Sequence, residues 1–146
     1  MQKSESTRGA ETTEKSALAR VARGLVALVA LLHVWFFVLE TFLWSSSIAA
    51  STLHMTAAEA EATAVLAGNQ GVYNAVIAAG LGWALGTSNP KMAWSLQKFF
   101  LGSVIAVGLY GAVSARIVVL FVQVLPAVVA LALSFSVQKR AAERRS

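Results

Sequence analysis

Residues 25–44 form an apolar run broken by two ionisable side chains, and this pairing constrains the chain more than any other feature. The run reads Leu25-Val-Ala-Leu-Val-Ala-Leu-Leu-His33-Val-Trp-Phe-Phe-Val-Leu-Glu40-Thr-Phe-Leu-Trp44. A helix crosses the hydrocarbon core of a bilayer in about 20 residues, which is the length of this run. A seven-residue separation returns to nearly the same helix face. Ionisable groups in a span are costly and normally face the protein interior or a water-filled cavity. His33 and Glu40 therefore mark the functional face of the first span.

Composition supports a membrane chain. Only 13% of the residues are charged, against about 25% in soluble domains, and the mean hydropathy is +0.66. The 146 residues suit one domain. The absence of cysteine excludes disulfides and thiolate metal sites. The pI near 10.1 raises nucleic acid as a partner. The basic residues, however, sit in tails and at loop edges, with no basic helix face or stacking platform, so nucleic-acid binding is set aside. The expected partner of those tails is the lipid bilayer, through anionic headgroups. No Walker loop, dinucleotide fingerprint or nucleophile elbow is present, and no cofactor is expected.

The chain divides into a polar N-terminal tail over residues 1–20, read as disordered, an apolar domain over 21–138, and a basic tail over 139–146. Four spans are expected at about 22–44, 62–86, 95–113 and 116–137. The fold class is all-α, an integral membrane four-helix transmembrane bundle. A signal peptide cleaved near Ala49-Ala50 is the rival reading of the first run. The long polar lead, the length of the run, and His33 and Glu40 argue against it. Thr56-Ala-Ala-Glu59 has capping-box spacing and predicts a helix start before the membrane, continuing to Gly86. Thr87-Ser-Asn-Pro90 breaks that helix. Ala78, Gly82 and Gly86 form a small-residue stripe for close helix approach, and Gly102, Gly108 and Gly111 thin the third helix similarly. The short link after the third span predicts an antiparallel hairpin with the fourth. No internal repeat is present, so there is no inverted-repeat transporter signature.

Charge asymmetry predicts orientation. Lys3, Arg8, Lys15, Arg20 and Arg23 precede the first span. Lys91 and Lys98 flank the link after the second, and Lys139, Arg140, Arg144 and Arg145 follow the fourth. With four spans, all of these lie on one side and only Arg116 on the other. The positive-inside rule then places both termini in the cytoplasm of a plasma (inner) membrane protein.

Three spans contribute polar groups at comparable depth. They are His33 and Glu40 from the first, Asn69, Gln70, Tyr73 and Asn74 from the second, and Gln123 from the fourth, just before Pro126. The expected assembly is a polar pocket floored by His33. His33 and Glu40 can serve as an acid–base or proton-relay pair, or each can simply hydrogen-bond a neighbouring helix. For Asn69, Gln70 and Asn74 interhelical bonding is the stronger reading, and Tyr73 also fits an interface aromatic. Pro126 removes a backbone donor and is expected to free a carbonyl near Val122 and Gln123, or simply to kink the helix. His33, His54, Glu40, Glu59 and Glu61 lack metal-ligand spacing, so no metal site is assigned. Trp44 and Trp94 fit interface anchors, and Trp35 and Trp83 fit packing or lipid-facing positions.

These residues carry a resemblance. His33-x6-Glu40-x3-Trp44, Leu66-Ala-Gly-Asn69-Gln70-Gly71-Val-Tyr73-Asn74, Ala78-Ala-Gly80-Leu, Gly108-Leu-Tyr-Gly111-Ala and Gln123-Val-Leu-Pro126-Ala together resemble the domain-of-unknown-function family 1304, small bacterial integral membrane proteins. The resemblance covers about residues 25–137, and the Asn-Gln-Gly-x-Tyr-Asn motif is its most specific part. It implies a four-helix membrane protein with polar motif positions at His33, Glu40, Asn69, Gln70, Asn74 and Gln123. It carries no activity. Family members often have basic residues in the first link, whereas Ser45 to Met55 has neither Lys nor Arg. Such links favour the opposite orientation. The long N-terminal segment also departs from the family pattern.

The functional expectation is a membrane protein that binds or transports a small or lipid-like ligand in an intramembrane polar pocket, with proton coupling as one mode of transport. The alternatives are an intramembrane enzyme using His33 and Glu40 as acid and base on a lipidic substrate, by analogy with sterol isomerases, and a structural membrane subunit.

Overall fold

In the computed structural model, residues 2–143 are described, with side chains described for Glu14 and residues 16–143. Arg144 and Arg145 of the basic tail, and the side chains of Lys3, Arg8 and Lys15, lie outside the described set. The helices are α1 (Gln2–Phe42), α2 (Ser47–Leu53), α3 (Ala57–Gly86), α4 (Pro90–Ser114) and α5 (Leu125–Ala142), with a π-helical turn at Leu120–Val124 leading into α5. No strand occurs among the described residues.

Local chemistry sets the helix ends. Thr56 Oγ1 accepts from the Glu59 amide, and Glu59 Oε2 accepts from the Thr56 amide at 2.8 Å. This completes the expected capping box at the start of α3. The bond from the Thr56 N–H, then that from its hydroxyl, hold the Glu59 carboxyl below the usual carboxylate range. Asn89 caps α4 by accepting from Lys91 and Met92 at 3.0 and 3.2 Å. Pro90 follows at the first turn, where its missing N–H does no harm.

Three departures from the expected elements have physical causes. The segment 1–20, read as a disordered tail, is helical from Gln2. It is rich in Ala, Glu, Lys and Arg, contains no proline, and extends a helix already nucleated, so each added residue gains a bond without a nucleation cost. The first link contains the short helix α2, capped by Ser46 and closed by His54 in the left-handed conformation at φ 54°. The break expected at Pro126 takes the form of the π-helical turn, in which the Leu125 amide bonds the Leu120 carbonyl five residues back.

Each long helix packs against its neighbours in the order α1, α3, α4, α5, and α5 closes back on α1. Val26 and Val29, Leu81, Leu101 and Val104, and Ala127 and Ala130 meet in one buried core to which all four contribute. The outside is apolar as well. Val65 and Val113 are each 91% exposed, and Leu31, Phe42, Phe99 and Phe121 are also exposed. A water-soluble monomer rarely exposes so much apolar surface. Three helical segments are long and apolar enough to cross a membrane: Ser16–Phe42, Pro90–Ser114 and Leu120–Ala142. At about 1.5 Å rise per residue, α3 is long enough as well, but Asn69, Gln70, Asn74 and its glycines dilute its hydropathy.

Candidate functional site: the seam between α1 and α3

The site is built along an antiparallel seam. Arg23 donates to the Leu85 carbonyl at 3.0 Å near one end, and the Trp44 indole N–H donates to Thr63 Oγ1 at 3.0 Å near the other. Between them Glu40 Oε2 accepts from Asn74 Nδ2 at 2.7 Å. Ala67, Gly71 and Ala78 are buried on α3, and Asn74 is half-buried among them. Their four-three-four spacing tracks one helix face. A side chain at Gly71 would run into Thr41 Oγ1 and would lie 3.2 Å from the Phe37 carbonyl oxygen. The missing side chain is therefore what lets the two backbones approach beside Glu40 and Asn74.

The small-residue stripe expected at Ala78, Gly82 and Gly86 is not the contact surface. Ala78 lies in the seam, but Gly82 and Gly86 face open space. A strict four-residue repeat drifts by about 40° per step around a helix of 3.6 residues per turn, so the stripe leaves the seam after Ala78. The close glycines elsewhere are Gly80, whose backbone lies under the Phe100 ring, and Gly108, against Val124 and Gln123. Gly102 faces open space.

His33 is 2% exposed and lies on the Glu40 face of α1. Its Nδ1 sits 2.8 Å from the Val29 carbonyl oxygen. A carbonyl only accepts, so Nδ1 carries the proton and a neutral ring keeps Nε2 as an acceptor. The ring meets Phe36 edge-on at 5.9 Å. Seven residues separate His33 from Glu40, a rise of about 10 Å, and no hydrogen bond joins them.

The seven sequence-selected residues thus fall into four places. Glu40 and Asn74 meet. His33 is buried deeper on the same face of α1. Gln123 is half-buried in the π-helical turn, its side chain over Gly108. Asn69, Gln70 and Tyr73 are exposed, Tyr73 by 65%. Sequence reasoning missed Thr41, whose hydroxyl is buried against Gly71 with no hydrogen-bond partner among the described residues. Its position next to Glu40 in an apolar run was the available signal. Among the described residues, no three His, Asp or Glu side chains come together in a metal-holding group. Trp94 stands near the opposite end of the molecule, with the Lys98 ammonium 5.3 Å from its ring and the Phe135 ring 6.1 Å away.

The family model described as "Protein of unknown function (DUF1304)" matches residues 27–135. The chain belongs to this family. No curated protein and no solved structure matches it. The DUF1304 match takes in all seven selected residues together with Thr41 and Gly71. The α1–α3 seam around Glu40 is therefore part of the family domain.

Proposed function

We propose that this DUF1304 member is a four-span integral membrane protein, with α3 as the fourth span, that binds a small or lipid-like ligand at the α1–α3 seam. Glu40 and Asn74 form the centre of the site, His33 lies beneath it, Gln70 and Tyr73 stand at its margin toward α4, and Asn69 on the outer surface and Gln123 over Gly108 lie apart from it. The observation that carries this reading is the Glu40–Asn74 bond at 2.7 Å. Asn74 engages Oε2, and Oε1 has no hydrogen-bond partner among the described residues. A charged side chain costs roughly 2.5–3.5 kcal/mol at the centre of a span on insertion scales, and less at Glu40, two residues from the end of α1. An interhelical hydrogen bond in a membrane returns about 0.6 kcal/mol, rising to about 1.7 at most. Asn74 engages one carboxyl oxygen only, and a ligand donor to Oε1 supplies a reason for keeping the carboxyl there.

The charge distribution supports cytoplasmic termini. Arg20, Arg23, Lys91, Lys98, Lys139 and Arg140 belong to one end of the helix array, and among the described residues Arg116 alone belongs to the other.

Mass spectrometry of ligands retained by the protein, purified in mild detergent, tests the proposal. Wild type is expected to carry a discrete small molecule, and Glu40→Gln, which keeps the shape and the Asn74 bond, is expected to lose it. Equal retention by both would refute a binding role for the carboxylate and leave Glu40 a packing group. Chemical conversion of the retained molecule by wild type, lost in His33→Gln, would instead establish the intramembrane enzyme.

A further inference from the structure

Tyr73, Gly80 and Ala84 lie at seven- and four-residue steps on one face of α3. Gly80 and Ala84 are buried on that face, with the Phe100 ring of α4 against Gly80. Tyr73, on the same face, is 65% exposed, and so is Leu66 one heptad earlier. The α4 partner face behaves alike. Phe100 is half-buried, while Val107, seven residues on, is 62% exposed. This pattern of exposure is the one expected of two helices that touch at Gly80–Phe100 and diverge within about 10 Å of rise. Gln70 lies on the wall of this gap nearest the seam, one turn from Asn74. No hydrogen bond to Asn69, Gln70 or Tyr73 occurs among the described residues, although all three sit on a helix assigned to the membrane.

We propose that α3 and α4 frame a lateral opening through which a neutral amphiphile of the surrounding bilayer reaches the Glu40–Asn74 site. Its acyl chain lies in the wedge above Phe100, and its hydroxyl or amide head meets Gln70 and Tyr73. The inference rests on the ligand-binding reading above and names the ligand class. A helix is about 10–12 Å across with its side chains, so a gap that closes onto a glycine backbone within two turns is too tapered for a second copy of the chain. A flexible acyl chain fits it. The lining amides and phenol are uncharged donors and acceptors, and the carboxylate of Glu40 disfavours an anionic head.

The chain has no cysteine, which allows a clean test. Tyr73→Cys and Val107→Cys are combined, and the two thiols are joined by a short bis-maleimide in liposomes. The probe is a monoacylglycerol with a photoreactive diazirine in its acyl chain. In wild type, labelling is expected to concentrate on residues 66–73 of α3 and on Val107 of α4. It should fall severalfold in the tethered double variant relative to the same double variant treated with N-ethylmaleimide, whose thiols are blocked but not joined. Labelling spread evenly over the outer surface, Val65 and Val113 included, would overturn the opening. So would efficient joining of two chains through the Tyr73→Cys thiol, which would place a second copy there. Labelling lost on tethering but unchanged in Glu40→Gln would uphold the opening and overturn the role given to Glu40.

Discussion

Gly71 sets the separation of α1 and α3 beside the polar pair. In Gly71→Ala the new Cβ meets the Thr41 hydroxyl and lies 3.2 Å from both the Phe37 carbonyl oxygen and the Thr41 amide nitrogen. Rotation of Thr41 relieves the first contact, but the backbone contacts require the helices to move. The expected loss is about 1–3 kcal/mol, measured by unfolding in detergent or bicelles. Gly82→Ala meets nothing within 4 Å and replaces a poor helix former, so it should be neutral or stabilising by up to about 1 kcal/mol. Equal effects of the two substitutions would contradict the seam as drawn. Asn74→Ala leaves Glu40 without its partner and is expected to cost about 0.6–1.7 kcal/mol in the same assay. Glu40→Gln should leave stability nearly unchanged.

At the level of elements, the capping box makes the start of α3 sensitive to acid. The folded pKa of Glu59 is depressed, first by the Thr56 N–H and then by its hydroxyl. A depressed carboxylate contributes stability above its unfolded pKa and loses that contribution as pH falls through the folded value. Amide protection in the first turn of α3, taken relative to the intrinsic exchange rate at each pH, should therefore fall as the pH drops below the ordinary carboxylate range, and this dependence should vanish in Glu59→Gln. Thr56→Ala should cost about 1 kcal/mol at neutral pH. This box was legible in the sequence because capping depends on residues three apart. The Gly82 and Gly86 contacts were misjudged because a small-residue repeat says which faces can approach, not which face a neighbour occupies. The π-helical turn was half legible: Pro126 announced a break, but its form depends on how the chain from Leu120 to Val124 packs on Gly108.

For the molecule as a whole, the hydropathy pattern foretold an all-α chain with apolar helices. It also foretold that His33 would face inward, since burial cost leaves it nowhere else. Convergence of the α3 amides was less legible. Asn69 and Asn74 are five residues apart, about 140° around a helix of 3.6 residues per turn, so they cannot share one face. Asn74 took the seam and Asn69 the outside. The orientation proposed above rests on the distribution of Lys and Arg. Reporter fusions at either terminus that fold only outside the cytoplasm should be silent, while one inserted near Arg116 should be active. An active terminal fusion would reverse the orientation. The most direct measurement is a solid-state NMR spectrum of the protein in native lipid, with the Glu40 side-chain carboxyl carbon labelled. Contacts from that carbon to the Asn74 amide and to protons of one bound amphiphile are predicted. Contacts to Asn74 alone, or to bulk water, would contradict ligand binding at the α1–α3 seam.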